Sequence, residues 1–112
     1  MLSKQYRLKK RKSFNYIYKK GKHVGNETLA LVFVAAKMKH IKIGFSVSKK
    51  VGNSVTRHKA TRKMRAACRP LVPMIKENHS IIFVAKEGVE KKHVTEITQA
   101  MANTLRRAGL MS

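Results

Sequence analysis

From residue 1 to residue 76 the chain carries one acidic side chain, Glu27, among a crowd of lysines and arginines. The remaining acids, Glu77, Glu87, Glu90 and Glu96, lie in the last third, and there is no aspartate anywhere. Across 112 residues, 26 Lys and Arg face five acids and leave a formal charge of +21. So many like charges on so small a body repel one another, and a polyanion relieves that repulsion. Nucleic acid and anionic membrane are the two polyanions to weigh. No apolar run approaches the roughly 20 residues of a spanning helix, and the start, MLSKQYRLKKRKSF, lacks the apolar core of a signal peptide. The expected location is cytoplasmic. The single cysteine, Cys68, excludes an internal disulfide framework and fits a reducing compartment. Its simplest role is a small buried side chain. The string Lys9, Lys10, Arg11, Lys12 also has the composition of a nuclear address.

With 43% hydrophobic residues in clear periodic segments, the chain is expected to fold as one domain spanning residues 1–112. Residues 13 to 20 place Phe14, Ile17 and Tyr18 on one helical face, with Ser13 as a candidate N-cap and Gly21 as the stop. TLALVFVAA (28–36) is an apolar run rich in strand formers, and 41–47 alternates Ile41, Ile43, Phe45 and Val47 with Lys42, Gly44 and Ser46. These are read as two strands of a hairpin. From Ser54 to about Arg69 neither Gly nor Pro occurs, so a helix is expected there, capped by Asn53 or Ser54 and ended by Pro70. At 100° per residue, Ala60, Met64, Ala67, Cys68 and Leu71 share an arc of roughly 100°, and His58, Arg62, Arg65 and Arg69 share another. The continuous apolar run SIIFVA (80–85) reads as a buried central strand. Val94, Ile97, Met101, Leu105 and Ala108 then mark an amphipathic C-terminal helix ending at Gly109. The order helix, strand, strand, helix, strand, helix predicts an α+β protein, a two-layer α-β sandwich with helices packed on a mixed sheet.

Protein-based hydrolysis needs a nucleophile with its base, or carboxylates that hold metal ions. Without aspartate, and with the glutamates scattered, a two-metal site is not expected. The histidines, His23, His40, His58, His79 and His93, lie 14 to 21 residues apart with no HExxH or CxxC motif, so zinc ligation has no support. Ser46 and Ser48 lack an identifiable base, and no GxxxxGK[ST] or GxGxxG loop occurs. The chemistry that remains is binding.

The region from Gly44 to Arg69, GFSVSKKVGNSVTRHKATRKMRAACR, holds eight Lys or Arg and no acid. It runs from a strand through a Gly-Asn turn into the cationic helix. Turn side chains and one helical face then share a surface that neutralises phosphates and releases their counterions. A merely solvated helix usually interleaves Glu at i,i+4, and this one has none. Phe14, Tyr16 and Tyr18 cluster in the first helix. Phe14 and Tyr18 either close the core or line a cleft where single-stranded bases stack.

The run SVSKKVGNSVTRHKATRKMR resembles the signature of the bacterial ribonuclease P protein family, S-x-S-K-K-x-G-N-x-V-x-R followed by a basic helix. The rest of the chain agrees in order, from the short aromatic helix ending KKGK, through TLALVFVA and SIIFVA, to the C-terminal helix. The resemblance implies an α-β sandwich with a left-handed βαβ crossover. It also implies a protein subunit that binds a catalytic RNA and helps it remove the 5′ leader of precursor tRNA, with magnesium held through the RNA and no cofactor on the protein alone. Lys49, Lys50, Asn53, Arg57, His58, Lys59, Arg62, Lys63 and Arg65 would then face RNA. Phe14, Tyr18, Ser46, Ser48 and Arg57 would line the cleft for the single-stranded leader. No residue is assigned a catalytic role, and a monomer within the holoenzyme is implied.

Four positions depart from the family pattern. The usual Arg-Asn-Arg reads Arg57, His58, Lys59, a commonly basic position is Thr61, and Val32 stands where an aromatic is common. Lys59 keeps the charge of Arg without its bidentate fork. A structural binder of ribosomal RNA is the principal rival, because composition alone does not separate the two. A DNA-binding nucleoid protein is a second, for which a helix-turn-helix or minor-groove arm would be expected instead.

Overall fold

Strand β4 (His79–Ala85) shows no polar alternation because both of its faces are covered: Ile81 and Phe83 point to one side of the sheet, Ile82 to the other, and all three are fully buried. A strand of that kind belongs in the middle of a sheet. In the computed structural model, which describes residues 6–36 and 41–112, β4 lies between β2 (Leu29–Ala35), antiparallel, and β3 (Lys42–Ser46), parallel. Strand β1 (Lys22–Gly25) completes the order β1-β2-β4-β3.

The expected hairpin between residues 28–36 and 41–47 does not form. Both segments are strands, but β4 inserts between them, since only a central position covers both of its apolar faces. Strand β1 escaped the sequence reading. It is a short polar edge strand, pairing Lys22 with Phe33 and Gly25 with Ala30, and KHVG carries no periodic signal.

Helix α2 (Ser54–Cys68) connects β3 to the parallel β4, the βαβ unit of the fold. Asn53 is its cap, the side-chain oxygen accepting from the Thr56 N–H at 2.9 Å. After Cys68 the chain tightens into a 3₁₀ segment, Arg69–Met74, that holds both prolines and buries Leu71. Helix α3 (Val94–Arg107) starts in a capping box between His93 and Glu96. Helices α2 and α3 lie side by side on one sheet face, where Ala60, Met64, Ala67, Ile97, Met101 and Leu105 bury against Leu31, Ile43, Ile81 and Phe83.

Helix α1 (Arg11–Lys20) lies on the opposite face. Its buried Ile17 meets Val32 and Ile82, with Leu8, Phe14, Val34 and Val84 packed around them. The sandwich of sheet and α2/α3 therefore carries a third, partial layer. Burying one isoleucine contributes about 1.5–3 kcal/mol, so this small cluster is what fixes α1 to the sheet. The helix begins two residues earlier than the sequence suggested. Lys10 occupies the cap position without a side-chain cap bond, and Ser13 sits inside the first turn rather than ahead of it. Ahead of α1, Arg7 bridges Ile43 in parallel and the Leu8 N–H donates to the Ile43 carbonyl at 2.8 Å, extending the sheet beyond β3. His40 lies outside the described residues.

Candidate nucleic-acid interface

The turn into α2 sets the basic surface. Gly52 adopts φ +156°, and a Cβ there would stand 2.8 Å from the Thr56 side chain, so glycine is required ahead of the Asn53 cap. The turn leaves Ser48, Lys49 and Lys50 exposed, with the Val51 N–H closing onto the Ser48 carbonyl at 3.1 Å. Along α2, His58, Lys59 and Arg62 are exposed on the side away from the sheet. His58, Arg62, Arg65 and Ala66 line an open depression of about 410 Å³. Arg57 and Arg65 are half-buried, and the Nε of each is shut from solvent with no partner among the described residues. Thr61 turns its hydroxyl back to the Arg57 carbonyl at 2.9 Å and is spent within the helix.

Lys63 stands apart from this group. Its ammonium donates to the carbonyls of Glu90 at 2.7 Å and Lys92 at 3.0 Å, tying α2 to the turn before α3. The family resemblance placed Lys63 with its basic neighbours facing RNA, and the fold instead ties its ammonium to these two carbonyls.

A second feature opens between α1, β3 and α2. Arg7, Lys9, Phe14, Gly44, Phe45 and Arg65 are among the residues lining a cleft of about 340 Å³. Gly44 is what lets Phe14 lie on β3: a Cβ at that position would fall 2.6 Å from Phe14 Cζ and 2.8 Å from Cε1. Phe14 thus does both things left open by the sequence, packing the smaller core and walling the cleft. Tyr18, one turn on, is 38% exposed. Ser46 shares the sheet face of Gly44, two residues further along β3. Neither of them, nor Ser48 or Arg57, lines the Phe14 cleft itself.

Arg7, Leu8 and Lys9 line the cleft, and the sequence reading assigned none of them to a binding surface. Three residues in a basic leader offer no periodicity, so nothing local announces their addition to the sheet edge. Conversely, Arg65 was assigned to the helix face alone, yet it borders both the depression on α2 and the Phe14 cleft.

Among the described residues no group of three or more His, Cys, Asp or Glu side chains converges. No helix of the described residues is long and apolar enough to cross a membrane.

Fold and surface together define a small, strongly basic α+β protein that presents one cationic helix beside an aromatic-walled cleft, the equipment of an RNA binder. The chain belongs to the bacterial ribonuclease P protein family, whose model, described as Ribonuclease P, matches residues 2–109. It is 36% identical over 106 residues to the ribonuclease P protein component of Alkaliphilus metalliredigens, covering 95% of this chain and 96% of that one. Its fold matches the Staphylococcus aureus RNase P protein with a TM-score of 0.84 at 31% identity, over 96% of this chain and 98% of the other. The Thermotoga maritima RNase P protein superposes with a TM-score of 0.81 at 25% identity, over 90% and 96%. Membership sets aside the ribosomal and DNA-binding readings. The protein is a ribonuclease P subunit that partners ribonuclease P RNA in tRNA processing.

Proposed function

We propose that this chain, a single cytoplasmic RNA-binding domain and monomeric in the holoenzyme, docks on the catalytic RNA through α2 and holds the 5′ leader of precursor tRNA in the Phe14 cleft. The bond cleavage belongs to the RNA, with magnesium held by RNA oxygens, and no step of it runs through a side chain of this protein. His58, Lys59 and Arg62, with Lys49 and Lys50 in the turn, neutralise phosphates of the RNA subunit. Phe14 within the cleft, and Tyr18 one helical turn beyond it, offer aromatic faces to unpaired leader bases. Holding the leader beside the docked RNA places the scissile phosphate by converting a loose encounter into a positioned one.

The observation that supports this reading best is the double placement of Arg65, which borders both surfaces. It joins leader capture to RNA docking through one side chain. Three variants separate the roles. Arg62→Glu is expected to weaken binding to the RNA subunit alone. Phe14→Ala is expected to reduce the preference of the holoenzyme for precursor over mature tRNA, with subunit binding intact. Arg65→Glu is expected to do both, and an Arg65→Glu holoenzyme with an unchanged preference for precursor contradicts the reading.

A further inference from the structure

Helix α1 divides its sheet face in two. Phe14 and Tyr18 flank one side of the buried Ile17, whereas Ser13 and Tyr16 flank the other. On that second side Tyr16, Ile17, Val34, Ser80 and Lys12 are among the residues lining a groove of about 300 Å³. Tyr16 is 56% exposed, a large aromatic face that the smaller core does not use.

Ser80 is the second peculiarity. It lies in the row Val34, Ser80, Lys42 across β2, β4 and β3, at the floor of the groove. Only 6% of it is exposed, yet its hydroxyl meets no hydrogen-bond partner among the described residues. The half-buried Ser13 at the groove's rim likewise shows no side-chain hydrogen bond among the described residues. Both serines line the groove, where a ligand with donors and acceptors can bond their hydroxyls.

The groove connects with the Phe14 cleft round the N-terminal end of α1. A basin of about 410 Å³ lies there, sharing Arg7, Leu8 and Lys9 with the cleft and Ser13 and Ser80 with the groove. Lys9, Lys10 and Lys12 are exposed along this path, and no glutamate lines any part of it.

We propose that the groove is a second site for single-stranded RNA, occupied by nucleotides of a 5′ leader long enough to turn round the N-terminal end of α1. One base stacks on Tyr16. The Ser13 and Ser80 hydroxyls bond to its edge or to a ribose 2′-hydroxyl, and Lys12 faces its phosphate. Continuity with the Phe14 cleft and the unbroken positive lining argue for this occupant, so the inference rests on the leader reading given above.

The test is holoenzyme affinity, under binding conditions without cleavage, for precursor tRNAs whose leaders either just fill the Phe14 cleft or extend several nucleotides further. The extension is expected to tighten binding to the unaltered holoenzyme. Tyr16→Ala should erase the gain from extension, about five-fold or more for a stacked base, and Ser80→Ala should reduce it. Both should leave the short leader's affinity unchanged, and Tyr16→Phe should restore the gain. No gain in the unaltered holoenzyme, or the same gain in both alanine variants, overturns the proposal. A Phe14→Ala variant that binds the short leader normally would instead overturn the cleft reading, an outcome distinct from any result at Tyr16.

Discussion

Gly44 shows how one missing side chain shapes the Phe14 cleft. Its hydrogen leaves room for the Phe14 ring, so Gly44→Ala must push that ring from the strand. The expected result is weaker binding of precursor relative to mature tRNA, by the order of the ~1–3 kcal/mol that a base–aromatic stack is worth. In a double-mutant cycle with Phe14→Ala the two losses should overlap rather than add, because both remove the same ring position. Lys63 makes the opposite point, a cation in a basic helix that acts on the fold. Lys63→Met should destabilise the protein in urea by roughly 1–3 kcal/mol for the lost charged hydrogen bonds, with little change in the salt dependence of RNA binding. Arg62→Glu should reverse that pattern, flattening the salt slope by about one unit or more with little effect on stability. Cys68 is fully buried on the apolar arc of α2, and burial pushes its thiol up from 9.0 to about 12. Because the folded value is the raised one, its contribution to stability is complete below pH 9.0 and is lost as the pH climbs through about 12. Urea titrations between those limits should therefore show a shallower decline for Cys68→Ala than for the unaltered protein.

At the level of elements, what the sequence disclosed depended on whether an element's burial is periodic. Helix α2 was legible because two arcs, one apolar and one cationic, repeat over fifteen residues, and its buried Ala60, Met64, Ala67 and Cys68 are the ones spacing picked out. Strand β4 was legible as central because apolar residues follow one another without alternation. The hairpin reading failed at β2 and β3 because consecutive strands were taken as neighbours, whereas pairing is decided by which strand needs both faces covered. The edge strand β1 and the Arg7–Leu8 extension of the sheet were hidden for a different reason: short polar segments are ordered by backbone hydrogen bonds that leave no pattern in side chains. Of the candidate site, the cationic face of α2 and the aromatic identity of Phe14 were visible. The inward commitment of Lys63 and the double placement of Arg65 were not, since both depend on elements remote in the chain. The turn before α2 is the most exacting local feature. Gly52→Ala combines an unfavourable φ with a clash against Thr56, so it should shift the start of the helix, seen as lost amide protection at Thr56 and Arg57.

Across the whole molecule, the charge of +21 is held on a radius of gyration of 12.8 Å. Self-repulsion on that scale opposes folding, and any anion that binds only the folded form opposes it in turn. The melting temperature of the isolated protein should accordingly rise with added phosphate beyond what equal ionic strength of chloride achieves, and a phosphate-independent melting temperature would contradict that account. The proposed division of labour, in which this chain positions RNA and bond cleavage is left to the RNA, accords with the same imbalance of many cations and few carboxylates. The decisive measurement is cleavage of a 5′-extended precursor tRNA at low magnesium by a bacterial ribonuclease P RNA alone, by this protein alone, and by the two together. The account predicts efficient cleavage at the mature 5′ end only when both are present; cleavage by the protein alone, or no stimulation of the RNA, would contradict it.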